Sequence, residues 1–334
     1  MKKIGVLGAG TWGIALARML CNIGNDITVW SAVDKEIDAL IETYEQPNLK
    51  GIKLPQEIKF TKDIKDAVEG MDIILFAVAS PYVRATAHRI ADLVSDNQII
   101  VDVAKGIESD TLYTMSMIIK DEIKNDNVKV VALSGPTHAE EVALDMPTTI
   151  VSACEDEETA KKVQDVFMNT CMRVYTNTDI LGVELCGALK NIIALAAGIS
   201  DGMGYGDNAK AAIITRGIAE MVRLGIAMDC SPQTFSGLAG LGDLIVTATS
   251  RHSRNNKAGN LIGQGYSVDE AIEKVGMVVE GINAIPAAEA LANKYDVEMP
   301  IIHSVYEAVE GNVSPKEAML SLMTRKKKDE TVIQ

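Results

Sequence analysis

The chain begins with the sequence KIGVLGAGTWGIALARMLCNIG, residues 3–24, and this stretch decides the fold of the first half. A short apolar run is followed directly by a G-x-G-x-x-G pattern and then by a helical period that ends at Gly24. In this pattern Gly8 permits a tight turn, Gly10 lets the backbone approach a pyrophosphate, and Gly13 permits close packing of the helix. The helix N-terminus offers unpaired N–H groups to the same anion. The stretch therefore predicts a strand, a glycine turn and a helix that bind a dinucleotide.

Apolar runs of strand length recur downstream and alternate with helical periods. Continuous Val and Ile runs of this kind are typical of parallel strands that are covered on both faces. The predicted strands cover residues 27–31, 72–78, 98–104, 128–133, 148–153 and 172–176, with helices at 82–94 and 155–167 among them. The sequence thus predicts an α/β, Rossmann-type N-terminal domain with a mainly parallel sheet, over residues 1–178.

The pattern changes after about residue 178, where no further strand is predicted. The stretch LGVELCGALKNIIALAAGI, residues 181–199, is too long for a buried strand and predicts a helix. Asp179 fits its N-cap, and Gly198 fits its C-terminal stop. Further helices are predicted at 208–228, 267–275, 283–295 and 302–310. We expect an all-α C-terminal domain over residues 179–334, with the helix at 181–199 where the two domains meet.

This apolar helix is long enough to span a bilayer. Two central charges, Glu184 and Lys190, and small residues at four-residue spacing favour the buried helix of a soluble protein instead, so no membrane span is expected. The N-terminus leads straight into the first strand, without the pattern of a signal peptide. Five scattered cysteines without a CxxC pair indicate free thiols in a reducing cytoplasm, and neither they nor the four histidines show metal-ligand spacing. We expect a cytoplasmic protein without a structural metal.

The formal net charge of −14 argues against a nucleic-acid partner, because phosphate binding needs a basic face. An anionic substrate would require a site that is locally positive against this overall charge. The basic cluster at residues 325–328 is interpreted as a solvated tail.

Lys190 is the first candidate for chemistry. Burial lowers the pKa of a lysine and makes its neutral amine accessible near neutral pH. On a helix Lys190 and Asn191 can border one cavity, and Glu184 shares a face with Asn191. The alternative is a lysine that extends from a core helix to the surface. The stretch alone leaves both interpretations open.

Three further polar clusters lie outside the glycine pattern. Lys105 follows a predicted strand, at the sheet edge where open α/β folds bind ligands. Residues 134–139, SGPTHA, again follow a strand and open a helix. In residues 237–256, Asp243 closes a glycine-rich loop, and the planar fork of Arg254 suits bidentate phosphate binding. A surface lysine, a capped turn and a solvated loop are the respective alternatives, and each stays open when its cluster is taken alone.

The second predicted strand ends in WSAV, residues 30–33. An NAD site usually has an acid at this strand end, and an NADP site usually has an arginine nearby. Neither is present at the tip, and Asp34 is interpreted as a helix cap. The residues leave the choice between NADH and NADPH open.

The chain resembles the bacterial NAD(P)-dependent glycerol-3-phosphate dehydrogenase family in five blocks that span nearly its whole length. The blocks are GAGTWGIALA, AKGIE, SGPTHAEEVA, GVELCGALKNIIALAAGISDGMGYGDNAKAAIITRG and FSGLAGLGDLIVTATSRHSRN. The family commonly carries a basic residue after the second strand, and the absence of one at Ala32 and Val33 favours NADH. Asn256 stands where family members often have arginine.

The resemblance implies reduction of dihydroxyacetone phosphate to sn-glycerol 3-phosphate for phospholipid synthesis, with Lys190 as general acid/base. Asp243 would orient Lys190 or hold a substrate hydroxyl. The implied substrate contacts are Lys105, Gly135, Thr137, Lys190, Asp243, Ser253, Arg254 and Asn255. Asn191 is added to this set because it can border one cavity with Lys190. The cofactor contacts, glycine pattern included, would be Gly8, Gly10, Thr11, Trp12, Gly13, Lys105, Ala139, Arg254, Val278 and Glu280.

This assignment agrees with the chemistry of the candidate residues. Reduction of a ketone leaves a developing alkoxide, which needs a proton donor and positive charge nearby, and a lysine ammonium supplies both. The nearest rival is a dehydrogenase of this plan that acts on a 3-hydroxy acid. A regulator that binds NADH without turnover is a second rival, although no basic helix-turn-helix is evident. An apolar helical domain also makes a homodimer plausible.

Overall fold

The structure is a computed structural model that describes residues 1–327 and 329–330. By its internal contacts the chain divides into two compact units. The first comprises Met1–Ala104 and Met115–Ile180, and the second comprises Lys105–Thr114 and the chain from Leu181 onward. The division predicted from the sequence, 1–178 and 179–334, gave residues 105–114 to the first domain, whereas their contacts are with the second unit.

The first unit is built on one eight-stranded sheet. Its strands are β1 (Lys3–Leu7), β2 (Asp26–Trp30), β3 (Lys59–Thr61), β4 (Ile73–Phe76), β5 (Ile99–Asp102), β6 (Lys129–Ser134), β7 (Thr148–Ala153) and β8 (Met172–Asn177). Their spatial order is β3-β2-β1-β4-β5-β6-β7-β8. All neighbours pair in parallel except β6 and β7, which are antiparallel. The predicted Rossmann-type, mainly parallel sheet is confirmed.

Six helices accompany this sheet in the described part of the first unit. They are α1 (Thr11–Asn22), α2 (Asp34–Thr43), α3 (Val83–Ile90), α4 (Met115–Ile123), α5 (Ala139–Ala143) and α6 (Glu157–Phe167). Val33 holds the N-cap position of α2, and Asp34 is the first helical residue, so the cap assigned to Asp34 was wrong by one position. Strand β3 was not predicted, because three residues at a sheet edge carry too short a pattern.

The alternation of side chains along the strands supplies a core on both faces of the sheet. In β4, Ile73 and Leu75 join one apolar cluster, whereas Ile74 and Phe76 join a second. Successive strand residues point to opposite faces, so continuous apolar strands are required where both faces are covered. This explains why β4 (IILF) is wholly apolar and why its neighbours β1 (KIGVL) and β5 (IIVD) are nearly so.

The second unit is helical. Its helices are α7 (Ile180–Gly202), α8 (Asp207–Ala227), α9 (Pro232–Ser236), α10 (Asp243–Thr249), α11 (Arg254–Gly263), α12 (Val268–Val275), α13 (Glu280–Lys294), α14 (Pro300–Val309) and α15 (Pro315–Met323), with a π-helical turn at Leu238–Gly242. No strand occurs among the described residues after β8. The predicted all-α C-terminal domain is confirmed.

Helix α7 is the core of this unit. It is long and apolar enough to cross a membrane by composition, and 94% of its most hydrophobic window is buried inside the structure. The helix runs through Gly198 to Gly202, so the predicted stop at Gly198 was wrong. Gly198 serves close packing instead, because a methyl group there would lie 2.1 Å from the carbonyl oxygen of Asn256.

Helices α7 and α11 approach each other backbone to backbone. A methyl group on Gly202 would lie 2.1 Å from the carbonyl oxygen of Asn260, and one on Gly259 would lie 2.1 Å from that of Leu195. Gly263 meets the carbonyl oxygen of Ile199 in the same way, at 2.2 Å. Glycines spaced by four residues therefore line both sides of the contact, and only glycine fits at this separation.

A buried carboxylate joins two other helices of the second unit. Glu220 of α8 is 2% exposed and accepts hydrogen bonds from the backbone N–H groups of Ile301 at 2.7 Å and Ile302 at 3.2 Å. These N–H groups belong to the first turn of α14, which has no carbonyl partners for them within the helix. Burial raises the pKa of Glu220 to about 7, although the two N–H groups and Arg223 oppose the shift.

We expect Gly259→Ala to destabilise the protein by about 3 kcal/mol, because helices α7 and α11 must separate to admit the methyl group. Urea unfolding followed by circular dichroism measures the loss. Gly206→Ala is the matched control, since a methyl group there meets nothing within 4 Å. The control should lose at most about 1 kcal/mol, as expected at an N-cap. Equal losses in the two variants would contradict the backbone-contact interpretation.

Candidate active site

The candidate site residues are distributed over both units. The first unit carries Gly8, Gly10, Thr11, Trp12, Gly13, Gly135, Thr137 and Ala139. The second unit carries Lys105, Lys190, Asn191, Asp243, Ser253, Arg254, Asn255, Val278 and Glu280.

The glycine turn after β1 is fixed by close backbone contacts. Gly8 has a φ of 121°, and a methyl group there would lie 2.7 Å from the carbonyl of Ala77, which follows β4. A methyl group on Gly13 would lie 2.2 Å from the carbonyl oxygen of Gly8. The strand order reverses at β1, and ligands of open α/β sheets bind at such a point.

Gly10 differs from these two glycines because a methyl group there meets nothing within 4 Å. It holds the N-cap position of α1, and no side chain caps this helix end. Nearby, Asn48 Nδ2 donates a hydrogen bond to Thr11 Oγ1 at 3.1 Å. An open space before uncapped N–H groups fits the pyrophosphate of a dinucleotide, because the helix N-terminus attracts anions.

The remaining predicted residues of the first unit follow β6. Gly135 comes directly after the strand, and Thr137 Oγ1 donates a hydrogen bond to the carbonyl oxygen of Gly135 at 3.0 Å. Ala139 opens α5, which is only five residues long. The predicted order of strand, turn and helix is confirmed here.

In the second unit, Lys105 and Lys190 meet on one carboxylate. Lys105 Nζ lies 2.6 Å from Asp243 Oδ2, and Lys190 Nζ lies 2.8 Å from Asp243 Oδ1. Lys190 is 5% exposed and Asp243 is 2% exposed. Lys190 is thus a buried, paired amine, and the alternative of a lysine that extends to the surface is excluded.

Thr247 is a fourth member of this cluster, and the sequence analysis missed it. Lys190 Nζ donates to Thr247 Oγ1 at 2.6 Å, and that hydroxyl donates to the carbonyl oxygen of Asp243 at 2.7 Å. Asp243 and Thr247 are four residues apart on α10 and so share a helix face. That spacing was the available signal, but threonine in a Thr/Ser-rich stretch gave no reason to single it out.

Opposing forces set the pKa values of the cluster. Burial lowers the pKa of Lys190, the Asp243 charge raises it, the Lys105 and Arg254 charges lower it, and the net result is about 8. Burial alone would raise the pKa of Asp243, but the charges of Lys105 and Lys190 outweigh it and hold the pKa below its usual range. At neutral pH the cluster is therefore a carboxylate between ammonium groups.

Arg254 and its neighbours stand at the start of α11. Ser253 is the N-cap, and its hydroxyl accepts from the backbone N–H of Asn256. Asn255 Nδ2 donates to Asn191 Oδ1 at 2.9 Å, and Asn255 Oδ1 accepts from the N–H of Gly281 at 2.8 Å. The guanidinium of Arg254 remains exposed, whereas both asparagine side chains are buried. The amides thus hold the start of α11 against α7 and the first turn of α13.

A carboxylate from helix α2, which was not predicted from the sequence, lies at the end of β2. Ser31 Oγ donates a hydrogen bond to Glu36 Oε2 at 2.6 Å, so helix α2 returns a carboxylate to the strand tip. On another side, the Arg89 guanidinium carbon lies 5.1 Å from the centre of the Trp30 ring. Glu36 lies five positions beyond Ser31, inside helix α2, and Arg89 lies far along the chain, so a pattern that expects an acid or arginine directly after the strand finds neither.

The cluster can move a proton near neutral pH. An amine with a pKa of about 8 exchanges a proton readily in that range, and the neighbouring cations can stabilise an anion. Among the described residues, no group of three or more His, Cys, Asp or Glu side chains could hold a metal ion. The chemistry that this arrangement supports is acid/base catalysis beside a bound anion.

Two family models match the chain. The N-terminal model of NAD-dependent glycerol-3-phosphate dehydrogenase matches residues 3–160, and the C-terminal model matches residues 179–320. A glycerol-3-phosphate dehydrogenase (NAD(P)+) 2 from Lactobacillus delbrueckii subsp. bulgaricus is 63% identical over 334 residues, with 99% of each chain covered. A glycerol-3-phosphate dehydrogenase (NAD(P)+) from Agathobacter rectalis is 52% identical over 331 residues, covering 99% of this chain and 98% of the relative.

Among solved structures, a glycerol-3-phosphate dehydrogenase from Coxiella burnetii superposes with a TM-score of 0.93 at 34% identity. The match covers 97% of this chain and 99% of that one. The likeness therefore extends over both units.

We expect Asp243→Asn to lower the free energy of unfolding by about 3–5 kcal/mol, because the buried Lys190 ammonium and the partly buried Lys105 ammonium lose their counter-charge. The control is Glu45→Gln, which breaks the exposed Lys53–Glu45 pair and should cost no more than about 1 kcal/mol. Urea unfolding at pH 7 compares the two variants. A loss in Asp243→Asn no larger than in the control would show that the carboxylate does not hold the cluster.

Proposed function

This chain belongs to the NAD-dependent glycerol-3-phosphate dehydrogenase family, and from this we propose that it reduces dihydroxyacetone phosphate to sn-glycerol 3-phosphate with NADH or NADPH. The observation that carries the proposal is the buried cluster of Lys190, Asp243 and Lys105. The first unit is proposed as the dinucleotide-binding domain and the second as the substrate and catalytic domain. The reaction is reversible, and we propose reduction as its direction in the cell.

Lys190 is proposed as the general acid/base. In reduction its ammonium donates a proton to the alkoxide that develops at C2, and in oxidation its neutral amine takes the hydroxyl proton. Asp243 orients this amine through the 2.8 Å contact, and Thr247 Oγ1 holds it from a second side. The bound nicotinamide supplies the hydride chemistry. A pKa of about 8 lets Lys190 serve both directions near neutral pH.

Arg254 is proposed to bind the substrate phosphate. Its exposed guanidinium stands in the first turn of α11, and a planar fork suits bidentate phosphate contacts. With Lys105 and Lys190 it supplies the local positive charge that a chain of net charge −14 otherwise lacks. Ser253 and Asn255 are proposed to support Arg254, since their polar groups cap α11 and bind Asn191 and Gly281.

The other contacts remain proposals that rest on the family resemblance. The substrate set adds Gly135, Thr137 and Asn191. The cofactor set comprises Gly8, Gly10, Thr11, Trp12, Gly13, Lys105, Ala139, Arg254, Val278 and Glu280. For the glycine pattern, the open space at Gly10 and the uncapped end of α1 support the assignment.

We propose that the product serves glycerophospholipid synthesis, because phosphorylated glycerol is the backbone of those lipids. The five cysteines are all free, which supports a reducing compartment such as the cytoplasm. A homodimer is also proposed. Leu320 is 61% and Met323 77% exposed on α15, and exposed apolar side chains of this kind favour burial in an interface.

The test of the function is nicotinamide absorbance with purified protein and dihydroxyacetone phosphate. We expect rapid oxidation of NADH. The rate of reduction should fall as the pH rises through about 8, because Lys190 must be protonated in that direction. The rate of the reverse reaction should rise through the same pH, because there Lys190 must be neutral.

Lys190→Met should lose about 10²–10⁴-fold in kcat. Full activity in this variant would remove Lys190 from the mechanism. Turnover of a 3-hydroxy acid instead of the phosphate would favour the rival dehydrogenase, and cofactor binding without any turnover would favour a regulator.

We further propose that NADH is preferred over NADPH. The Glu36 carboxylate, held at the end of β2 by Ser31, would repel a 2′-phosphate and accept hydrogen bonds from ribose hydroxyls. Ala32 and Val33 supply no cation at this strand end. Arg89, which lies over the Trp30 ring, is the nearby cation that would attract the 2′-phosphate and so favour NADPH.

Glu36→Gln should therefore raise the ratio of kcat/KM for NADPH to that for NADH by about tenfold, the effect of removing one nearby repulsive charge. Glu42→Gln is the matched control, because it removes the same charge from an exposed position on the same helix. Its ratio should stay unchanged. A wild-type preference for NADPH that Arg89→Met abolishes would contradict the proposal.

A further inference from the structure

Residues 105–114 form a closed loop that carries Lys105 at its first position. Ile107 and Thr114 pair as an antiparallel bridge, and the N–H of Glu108 donates to the carbonyl oxygen of Tyr113 at 2.9 Å. The loop connects β5 with α4 along the chain, yet its contacts belong to the second unit. Something in that unit must therefore hold it.

A buried hydrogen bond ties the far end of this loop to α7. Thr114 Oγ1 donates to Glu184 Oε2 at 2.8 Å, across 70 positions of sequence. Thr114 is 1% exposed and Glu184 is 6% exposed. Hydrogen bonds that involve a buried carboxylate are costly to break, because water does not replace the lost partner.

Both ends of the loop thus converge on the catalytic cluster. The first residue, Lys105, contacts Asp243 at 2.6 Å, and the last residue, Thr114, is bound to the helix that carries Lys190. The bridge pairs Thr114 with Ile107, which is only two residues after Lys105.

We propose that Thr114 and Glu184 are positioning residues whose hydrogen bond fixes the loop to α7 and thereby holds the Lys105 ammonium on Asp243. This inference rests on the proposed function, in which Lys105, Lys190 and Asp243 form the catalytic cluster. It assigns a role to Glu184, a buried carboxylate of α7 that the proposed mechanism leaves unused.

The position of Lys105 affects the pH dependence of the reaction. The groups that face Lys190 are Asp243, whose charge raises the Lys190 pKa, and Lys105 and Arg254, whose charges lower it. If the loop loosens, Lys105 withdraws, and the Lys190 pKa rises. The fall of the reduction rate with pH should then occur at a higher pH.

The experiment uses the full chain with Thr114→Val, which keeps the shape of the side chain and removes the hydroxyl. Hydrogen exchange of residues 105–114, read by mass spectrometry, should accelerate about tenfold. The value of kcat/KM for dihydroxyacetone phosphate should fall about tenfold, as expected for the loss of one buried hydrogen bond.

Thr114→Ser keeps the hydroxyl and should restore both the exchange rate and kcat/KM. Thr111→Val removes an exposed hydroxyl that bonds Glu108 and Tyr113 within the loop but does not bond α7, so it should change kcat/KM by less than about twofold. Thr114→Ala replaces the valine variant if the latter does not fold.

A comparison in the Lys105→Met background separates positioning from general stability. If the hydrogen bond acts through Lys105, Thr114→Val should cost less than about twofold there, and the pH profile should not shift further. An equal loss in both backgrounds, or unchanged exchange in Thr114→Val, would overturn the proposal. If the wild-type protein does not reduce dihydroxyacetone phosphate, the proposed function fails, and hydrogen exchange still tests the hydrogen bond.

Discussion

The cluster of Lys105, Lys190 and Asp243, which we propose as catalytic, depends on one carboxylate that two ammonium groups share. Asp243 is 2% exposed, and its two oxygens lie 2.6 Å and 2.8 Å from Lys105 and Lys190. Burial of a single charge costs several kcal/mol unless a partner compensates it. The cluster satisfies this condition with two cations and one anion, which leaves net positive charge in a chain that carries −14 overall. The same surplus suits an anionic substrate, while burial is the main cause that lowers the Lys190 pKa.

The glycine contact between α7 and α11 determines where the cationic groups stand. Helix α7 carries Lys190, α11 begins with Arg254, and their backbones touch at glycines such as Gly198 and Gly259. The Asn191–Asn255 hydrogen bond spans the same two helices. A rigid contact of this kind keeps charged side chains at fixed separations, which a flexible loop could not do. Stability and site geometry therefore rest on the same glycines.

Burial acts on two ionisable residues of α7, Lys190 in its middle and Glu184 near its start. The apolar run that makes the helix a core element also removes water from Lys190 and lowers its pKa. Near the start of the helix, the same burial leaves Glu184 dependent on protein partners such as Thr114. The polar groups of an otherwise apolar helix are thus the ones that its surroundings must satisfy, and they are the groups with chemical or positioning roles.

The sequence by itself determined most of the strands, the change from an α/β to an all-α domain, the glycine turn after β1 and the identity of Lys190, Asp243 and Arg254 as candidates. These features follow from local periodicity and from motifs in which the interacting residues lie close together in the chain. Only the tertiary structure decided that residues 105–114 pack with the second unit and that α7 continues through Gly198. It also brought Thr247 to Lys190, Glu36 to the tip of β2 and Thr114 to Glu184. The physical reason is that these partners are selected by packing, and the Lys105–Asp243 contact, across 138 positions, leaves no periodic trace in the sequence.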